Sequence, residues 1–244
     1  MKKFLLILGA NSDIAKALSR EYARNGYNLF LAGRNVDDLK KESSDISLEF
    51  NVDVKYFYFD VLDTENHKKF YESLSNDVCG VICAVGYLGN QFLSEDSFNE
   101  TRKIIDTNFT GVVSILNEVS KDFEQKKQGF IIAIGSVAGD RGRRSNCLYG
   151  SSKAALSEYL SGLRARLFKS DVHVLTVKPG FVSTKMVKDL KLPKLLTATP
   201  EQVAKDIFKA HKAKKDIIYT LWFWQFIMLI VKLIPEKLFK RISL

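Results

Sequence analysis

Short apolar runs, little broken by charge, alternate along this chain with longer stretches whose apolar positions recur every three to four residues. The runs at 3–8, 28–32, 54–59, 78–84, 130–134 and 172–177 are rich in Val, Ile, Leu and Phe, and another follows at 216–219. Their length and continuity predict strands buried on both faces. Segments 12–25, 36–50, 64–74, 98–127, 149–168 and 200–212 read as helices. Alternation of this kind predicts a single parallel sheet with helices on both faces, joined by right-handed crossovers. The expected fold class is α/β, doubly wound, over residues 1–220. Residues 221–244, apolar and then basic, stand apart as a C-terminal helical tail. No repeat or linker marks a second core.

In a doubly wound, Rossmann-type sheet the ligand crevice lies beyond the carboxyl ends of the strands. Residues 9–13, Gly33-Arg34, Asp60-Val61, residues 84–89, Gly135-Ser136 and Lys178-Pro179-Gly180 all fall there. Core packing does not require that convergence. Gly9-Ala10-Asn11-Ser12-Asp13-Ile14-Ala15 lies between the first strand and first helix, where backbone amides suit a pyrophosphate. Asp13 and Ala15 occupy two of the three usual glycine places, so the Asp13 carboxylate must turn away from the phosphates. Taken alone, the loop reads equally well as a plain strand-to-helix turn. Arg34 stands where a ribose-binding acid would select NAD, and a guanidinium there favours a 2′-phosphate. NADP(H) is the expected cofactor, with NAD(H) as second choice; Asp60 and Val61 border the adenine.

Tyr149 and Lys153 are four residues apart, hence neighbours on one helix face. An ammonium about 4 Å from a phenol, at an effective dielectric of about 20, favours the phenolate by up to ~4 kcal/mol. That moves a poor proton shuttle toward the useful range. Ser136, upstream, can hydrogen-bond a carbonyl and present it to Tyr149.

Together these residues resemble the short-chain dehydrogenase/reductase family, over about residues 3–220. The resemblance implies that Tyr149 is the general acid/base and that Lys153 lowers its pKa while holding the nicotinamide ribose. It implies that Ser136 orients the carbonyl and Asn108 supports a proton-relay water. Cys83-Ala84-Val85-Gly86 stands where the family has Asn-Asn-Ala-Gly, putting Ala84 and Gly86 beside the cofactor. Pro179, Gly180, Val182 and Thr184 match the segment that meets the nicotinamide. The stretches Gly86-Tyr87-Leu88-Gly89-Asn90-Gln91 and Asp140-Arg141-Gly142-Arg143-Arg144-Ser145-Asn146 are similar to decaprenylphosphoryl-2-keto-ribose reductases, which reduce a keto group on a polyprenyl-phosphate-linked pentose. Gln91, Arg141, Arg143 and Arg144 become substrate candidates, since guanidinium groups suit a phosphate diester. A solvated loop or a subunit contact explains the arginines equally well. A homo-oligomer is expected.

Composition narrows the picture. The 244 residues carry 37 Lys and Arg against 28 Asp and Glu, a net charge of +9. Those charges are dispersed and accompany no nucleic-acid motif, which leaves an anionic membrane or a phosphorylated ligand as the favoured partner. Cys79, Cys83 and Cys147 are odd in number and lack Cys-x-x-Cys spacing, and the histidines are scattered, so neither a disulfide framework nor a metal site is expected. The apolar run after Lys3 is too short for a secretory segment, and a cytoplasmic location is expected. In the tail, fifteen helical residues would reach ~22 Å, short of a ~30 Å hydrocarbon core. Trp222 and Trp224 with basic flanks suit the interface of an anionic membrane, at the inner face of the cytoplasmic membrane. Packing against a subunit or the sheet remains open. So do a soluble ketone or a 3-keto-acyl lipid as substrate, and a catalytically silent NADP-binding scaffold.

Overall fold

β1 (Phe4–Leu8) is buried throughout, and strand alternation sends Leu6 and Leu8 to one side of the sheet and Leu5 and Ile7 to the other. This computed structural model describes residues 2–187 and 193–241. On the first side lie α3 (His67–Glu72), α6 (Gly111–Lys126) and α7 (Cys147–Leu167), contributing Tyr71, Ile115, Leu116 and Leu160. On the second lie α1 (Asp13–Arg24), α2 (Val36–Phe50) and α8 (Pro200–Lys212), contributing Leu18, Leu39 and Ile207. Full burial of each such side chain contributes roughly 1.5–3 kcal/mol. Two apolar layers therefore grip one sheet.

That sheet adds β2 (Asn28–Gly33), β3 (Val54–Tyr58), β4 (Val78–Cys83), β5 (Phe130–Ile134), β6 (His173–Pro179) and β9 (Ile217–Thr220). The strands are parallel, in the order β3-β2-β1-β4-β5-β6-β9. Strand order reverses between β1 and β4, which opens a crevice at their carboxyl ends. Two short strands, β7 (Phe181–Val182) and β8 (Thr197–Ala198), pair beyond it.

Side chains fix where the helices begin. Ser12 Oγ accepts the Ala15 amide at 3.2 Å, and Asn35 caps α2 by accepting from Asp38 at 3.1 Å. Thr199 and Gln202 form a reciprocal capping box around Pro200. The stretch expected to be one helix over 98–127 is α5 (Phe98–Ile105) and α6 joined by a π-turn at Asp106–Thr110. Asn108 there is drawn to the Tyr87 backbone, and a Cβ on Gly111 would lie 2.1 Å from the Val61 carbonyl. The widened turn seats both contacts. A short helix, α4 (Gln91–Asp96), was not foreseen; Asn90 caps it.

The tail is helical as expected. α9 (Trp224–Leu233) buries Trp224 and Met228 against Val137, and Pro235 separates it from α10 (Glu236–Phe239). The last three residues of the expected tail segment, 242–244, lie outside the described residues. Among the described residues no helix is long and apolar enough to cross a membrane, and no His/Cys/Asp/Glu group could hold a metal ion.

Candidate active site

The crevice holds two cavities of about 300 Å³ each, which share Asn11, Ser12, Ala84, Val85 and Gly86. One runs toward Arg34, Asp60, Val61 and Leu62; the other toward Ser136, Tyr149, Lys153, Pro179, Gly180, Val182 and Thr184. Gly9 lies in the first, while Asp13 and Ile14 lie in the second. An elongated dinucleotide fits that division, and the backbone supports it. Gly9 has φ +76°, and a Cβ there would come within 2.9 Å of the Val85 nitrogen. Only glycine lets this turn lie so close to the β4 loop. The amide-rich start of α1 then faces the junction of the two cavities, as a pyrophosphate requires.

Around Arg34 the turn is pinned by Asn11. Its Nδ2 donates to the Asn35 carbonyl and to Asp38, each at 3.0 Å, and its Oδ1 accepts from the Asn35 amide at 3.1 Å. Lys16 pairs with Asp38 at 2.7 Å. Hydrogen bonds from Lys16 and then Asn11 hold the Asp38 carboxyl below the usual range, so it remains an ion matched by a cation. Asp13, which lines the second cavity, accepts the Lys185 amide through Oδ2 at 2.7 Å, tying α1 to the segment after β7.

At the catalytic end, α7 carries Tyr149 and Lys153 and the β5 loop carries Ser136. Ser136 Oγ accepts the Ala138 amide at 3.1 Å, so its own hydroxyl proton points elsewhere, toward Tyr149. Lys153 is 2 % exposed and donates to the Ile134 carbonyl at 3.0 Å; its ammonium is 5.9 Å from the Tyr149 ring centre. Burial pushes Lys153 down to about 8, with the Cys83 thiol opposing the shift. Desolvation raises the Tyr149 phenol while a hydrogen bond with Ser136 lowers it. The phenol depression expected from Lys153 is not seen: burial outweighs the Ser136 bond, and the Lys153 ammonium is turned to the Ile134 carbonyl.

A family model described as short chain dehydrogenase matches residues 3–194. An uncharacterised oxidoreductase of Mycobacterium tuberculosis is 30% identical over 240 residues, spanning 97% of this chain and 96% of that one. The chain belongs to the short-chain dehydrogenase family. A short-chain dehydrogenase from Sphingobium yanoikuyae, in complex with NADPH, superposes with a TM-score of 0.83 at 21% identity, covering 89% of this chain and 87% of that one. An alcohol dehydrogenase from Thermococcus sibiricus complexed with 5-hydroxy-NADP gives 0.78 at 26% identity, covering 90% and 96%.

For a short-chain dehydrogenase, several sequence-predicted site residues are placed unexpectedly. The Asn108 amide donates to the Tyr87 and Ile104 carbonyls at 2.7 and 2.9 Å, and its oxygen accepts the Tyr87 amide at 3.0 Å. With both donors used, its side chain shapes the 86–89 loop and cannot donate to a relay water. Gln91 lies outside both cavities, accepting from the Leu148 amide at 3.3 Å and donating to Glu95 at 3.1 Å. It steadies the start of the catalytic helix.

The arginine loop is the main correction. Arg141 Nη1 donates to the carbonyls of Val231, Lys232 and Ile234 at 3.0, 3.0 and 2.6 Å, and Nη2 pairs with Glu236 at 2.8 Å. Its guanidinium also stacks 4.0 Å over Phe239. Arg143 packs on Met228, 3.5 Å from Sδ. Neither lines the crevice: carbonyls of the tail hold Arg141 and Met228 covers Arg143, while Arg143 and Arg144 border a separate cavity with Lys240 and Phe239. Conversely, Met186 and Val187 line the catalytic cavity, while Lys103 covers the Tyr87 ring at 4.5 Å in the other. Met186, Val187 and Lys103 carried no sequence signal, because only the fold brings them to the crevice.

Proposed function

We propose that the protein is an NADP(H)-dependent reductase that converts a ketone to a secondary alcohol. The observation that carries this is the convergence of Ser136, Tyr149 and Lys153 on one cavity with Pro179, Gly180 and Thr184. NADPH, which Gly9, Ser12, Pro179, Gly180 and Thr184 would hold, would supply the hydride that the carbonyl carbon receives. The Ser136 hydroxyl hydrogen-bonds the carbonyl oxygen, without giving up its proton, and so fixes the carbonyl against Tyr149. The Tyr149 phenol gives that oxygen its proton. Lys153, protonated below about 8, supplies positive charge that offsets the phenolate left behind. Arg34, with Asp38 neutralised by Lys16, supports the choice of NADP(H) over NAD(H).

The substrate we favour is a ketone borne on a lipid, namely a keto-sugar on a polyprenyl phosphate used in cell-envelope glycan synthesis. Support comes from the 86–91 and 140–146 stretches and from the apolar lining supplied by Ile14, Val85, Ile134 and Met186. Arg141 and Arg143 give that reading no phosphate contact, since the tail engages both. Such a substrate places the protein at the inner face of the cytoplasmic membrane. The test is NADPH oxidation with membrane lipid extracts, followed by mass analysis. A polyprenyl-phosphate sugar heavier by two hydrogens is expected. Oxidation driven only by soluble or acyl ketones would overturn the substrate reading and leave the reductase.

A further inference from the structure

α9 is apolar on two opposite faces, and the core uses only one. Trp224 and Met228 are buried; Trp224 Nε1 donates to the Leu196 carbonyl at 3.2 Å, and a Cβ on Gly180 would fall 2.0 Å from that nitrogen. The other face carries Trp222, Phe226, Leu229, Ile230 and Leu233 at helical spacing, each more than half exposed. Arg141 holds the carboxyl end of the helix through three carbonyls, so the chain cannot simply roll that face inward. A contiguous apolar stripe of this kind marks an interaction surface.

Charge identifies the occupant. Glu236 is the only acid in residues 221–244, and Arg141 pairs with it. Lys232 in α9 and Lys237, Lys240 and Arg241 just after it are all exposed. Two copies meeting through this face would crowd like charges, whereas an anionic lipid surface supplies the opposite charge. The ten-residue helix is about 15 Å long, too short to span, and Trp222 stands just before its start, where an amphipathic ring meets a headgroup layer. We infer that the exposed face of α9, with α10, docks in the plane of an anionic bilayer. The docking stands whatever ketone the site reduces.

The test is flotation of the full-length protein with vesicles of phosphatidylcholine alone and of phosphatidylcholine mixed with phosphatidylglycerol. The protein is expected to float with the anionic vesicles, and less as salt rises. Phe226→Ser with Ile230→Ser should weaken partitioning about tenfold or more. Lys237→Glu with Lys240→Glu should weaken it about tenfold on anionic vesicles alone. Both variants should keep wild-type circular dichroism and turnover of a water-soluble ketone, and Tyr149→Phe should float as wild type does. Wild-type protein that ignores anionic vesicles overturns the proposal. So does a dimer, seen by sedimentation, that the Phe226/Ile230 variant splits. Flotation without reduction of any lipid-borne ketone confirms docking and sinks only the substrate reading.

Discussion

Lys153 is buried and, among the described residues, has one carbonyl partner and no carboxylate, which explains why its ammonium is weakened. Each pKa unit is worth about 1.4 kcal/mol of preference between the two protonation states. The consequence appears in the pH dependence of ketone reduction. With Lys153 at about 8, kcat/KM should be level below that pH and fall above it as the charge behind Tyr149 is lost. Lys153→Arg keeps its charge at all relevant pH values, so its profile should lose this limb even if the plateau is lower. A wild-type profile level to pH 10 would detach Lys153 from the chemistry. At this scale the sequence was most legible. Tyr149, Lys153 and Ser136 line one cavity, two of them on one helix face and the third at a strand end, although Lys153 bonds the Ile134 carbonyl rather than acting on the phenol. Asn108 was legible as a position but not in its contacts, which depend on a π-turn without a sequence mark.

The tail shows how an element acquires meaning only through packing. Arg141, Gly142, Arg143 and Arg144 lie close to Ser136 in sequence, so a role at the substrate mouth followed naturally. The partners of Arg141 lie some ninety residues further on, and nothing local announces them. Replacing Arg141 with Ala leaves the α9 carbonyls without their cation. We expect it to loosen the docking of α9 by about 2–4 kcal/mol, the range for a few charge-assisted hydrogen bonds partly replaced by water. Limited proteolysis should then cut in the tail while the cooperative unfolding of the sheet stays near wild type. Lys in place of Arg should rescue poorly, since a point charge cannot reach three carbonyls, Glu236 and the Phe239 face together. Unchanged proteolysis in Arg141→Ala would show that Trp224 and Met228 alone hold the helix.

Across the whole molecule, the sheet was readable because its inner strands are covered on both faces and so leave unbroken apolar runs; the edge strands β3 and β9 are only partly covered. β7 and β8, two residues each, leave no such trace. α4 was hidden for a related reason, being too short to show a period. The doubly wound order then does what no single motif could: it gathers the ends of distant strands around the β1/β4 reversal and leaves a crevice with a phosphate-ready end and a proton-donating end. The central claim is that this crevice reduces ketones through Tyr149. The most direct measurement is NADPH oxidation by wild-type and Tyr149→Phe protein with a shared ketone substrate, alongside a cofactor-binding titration. Turnover should fall by about 10²–10⁴-fold while NADPH binds with nearly unchanged affinity; a variant that turns over at the wild-type rate would contradict the account.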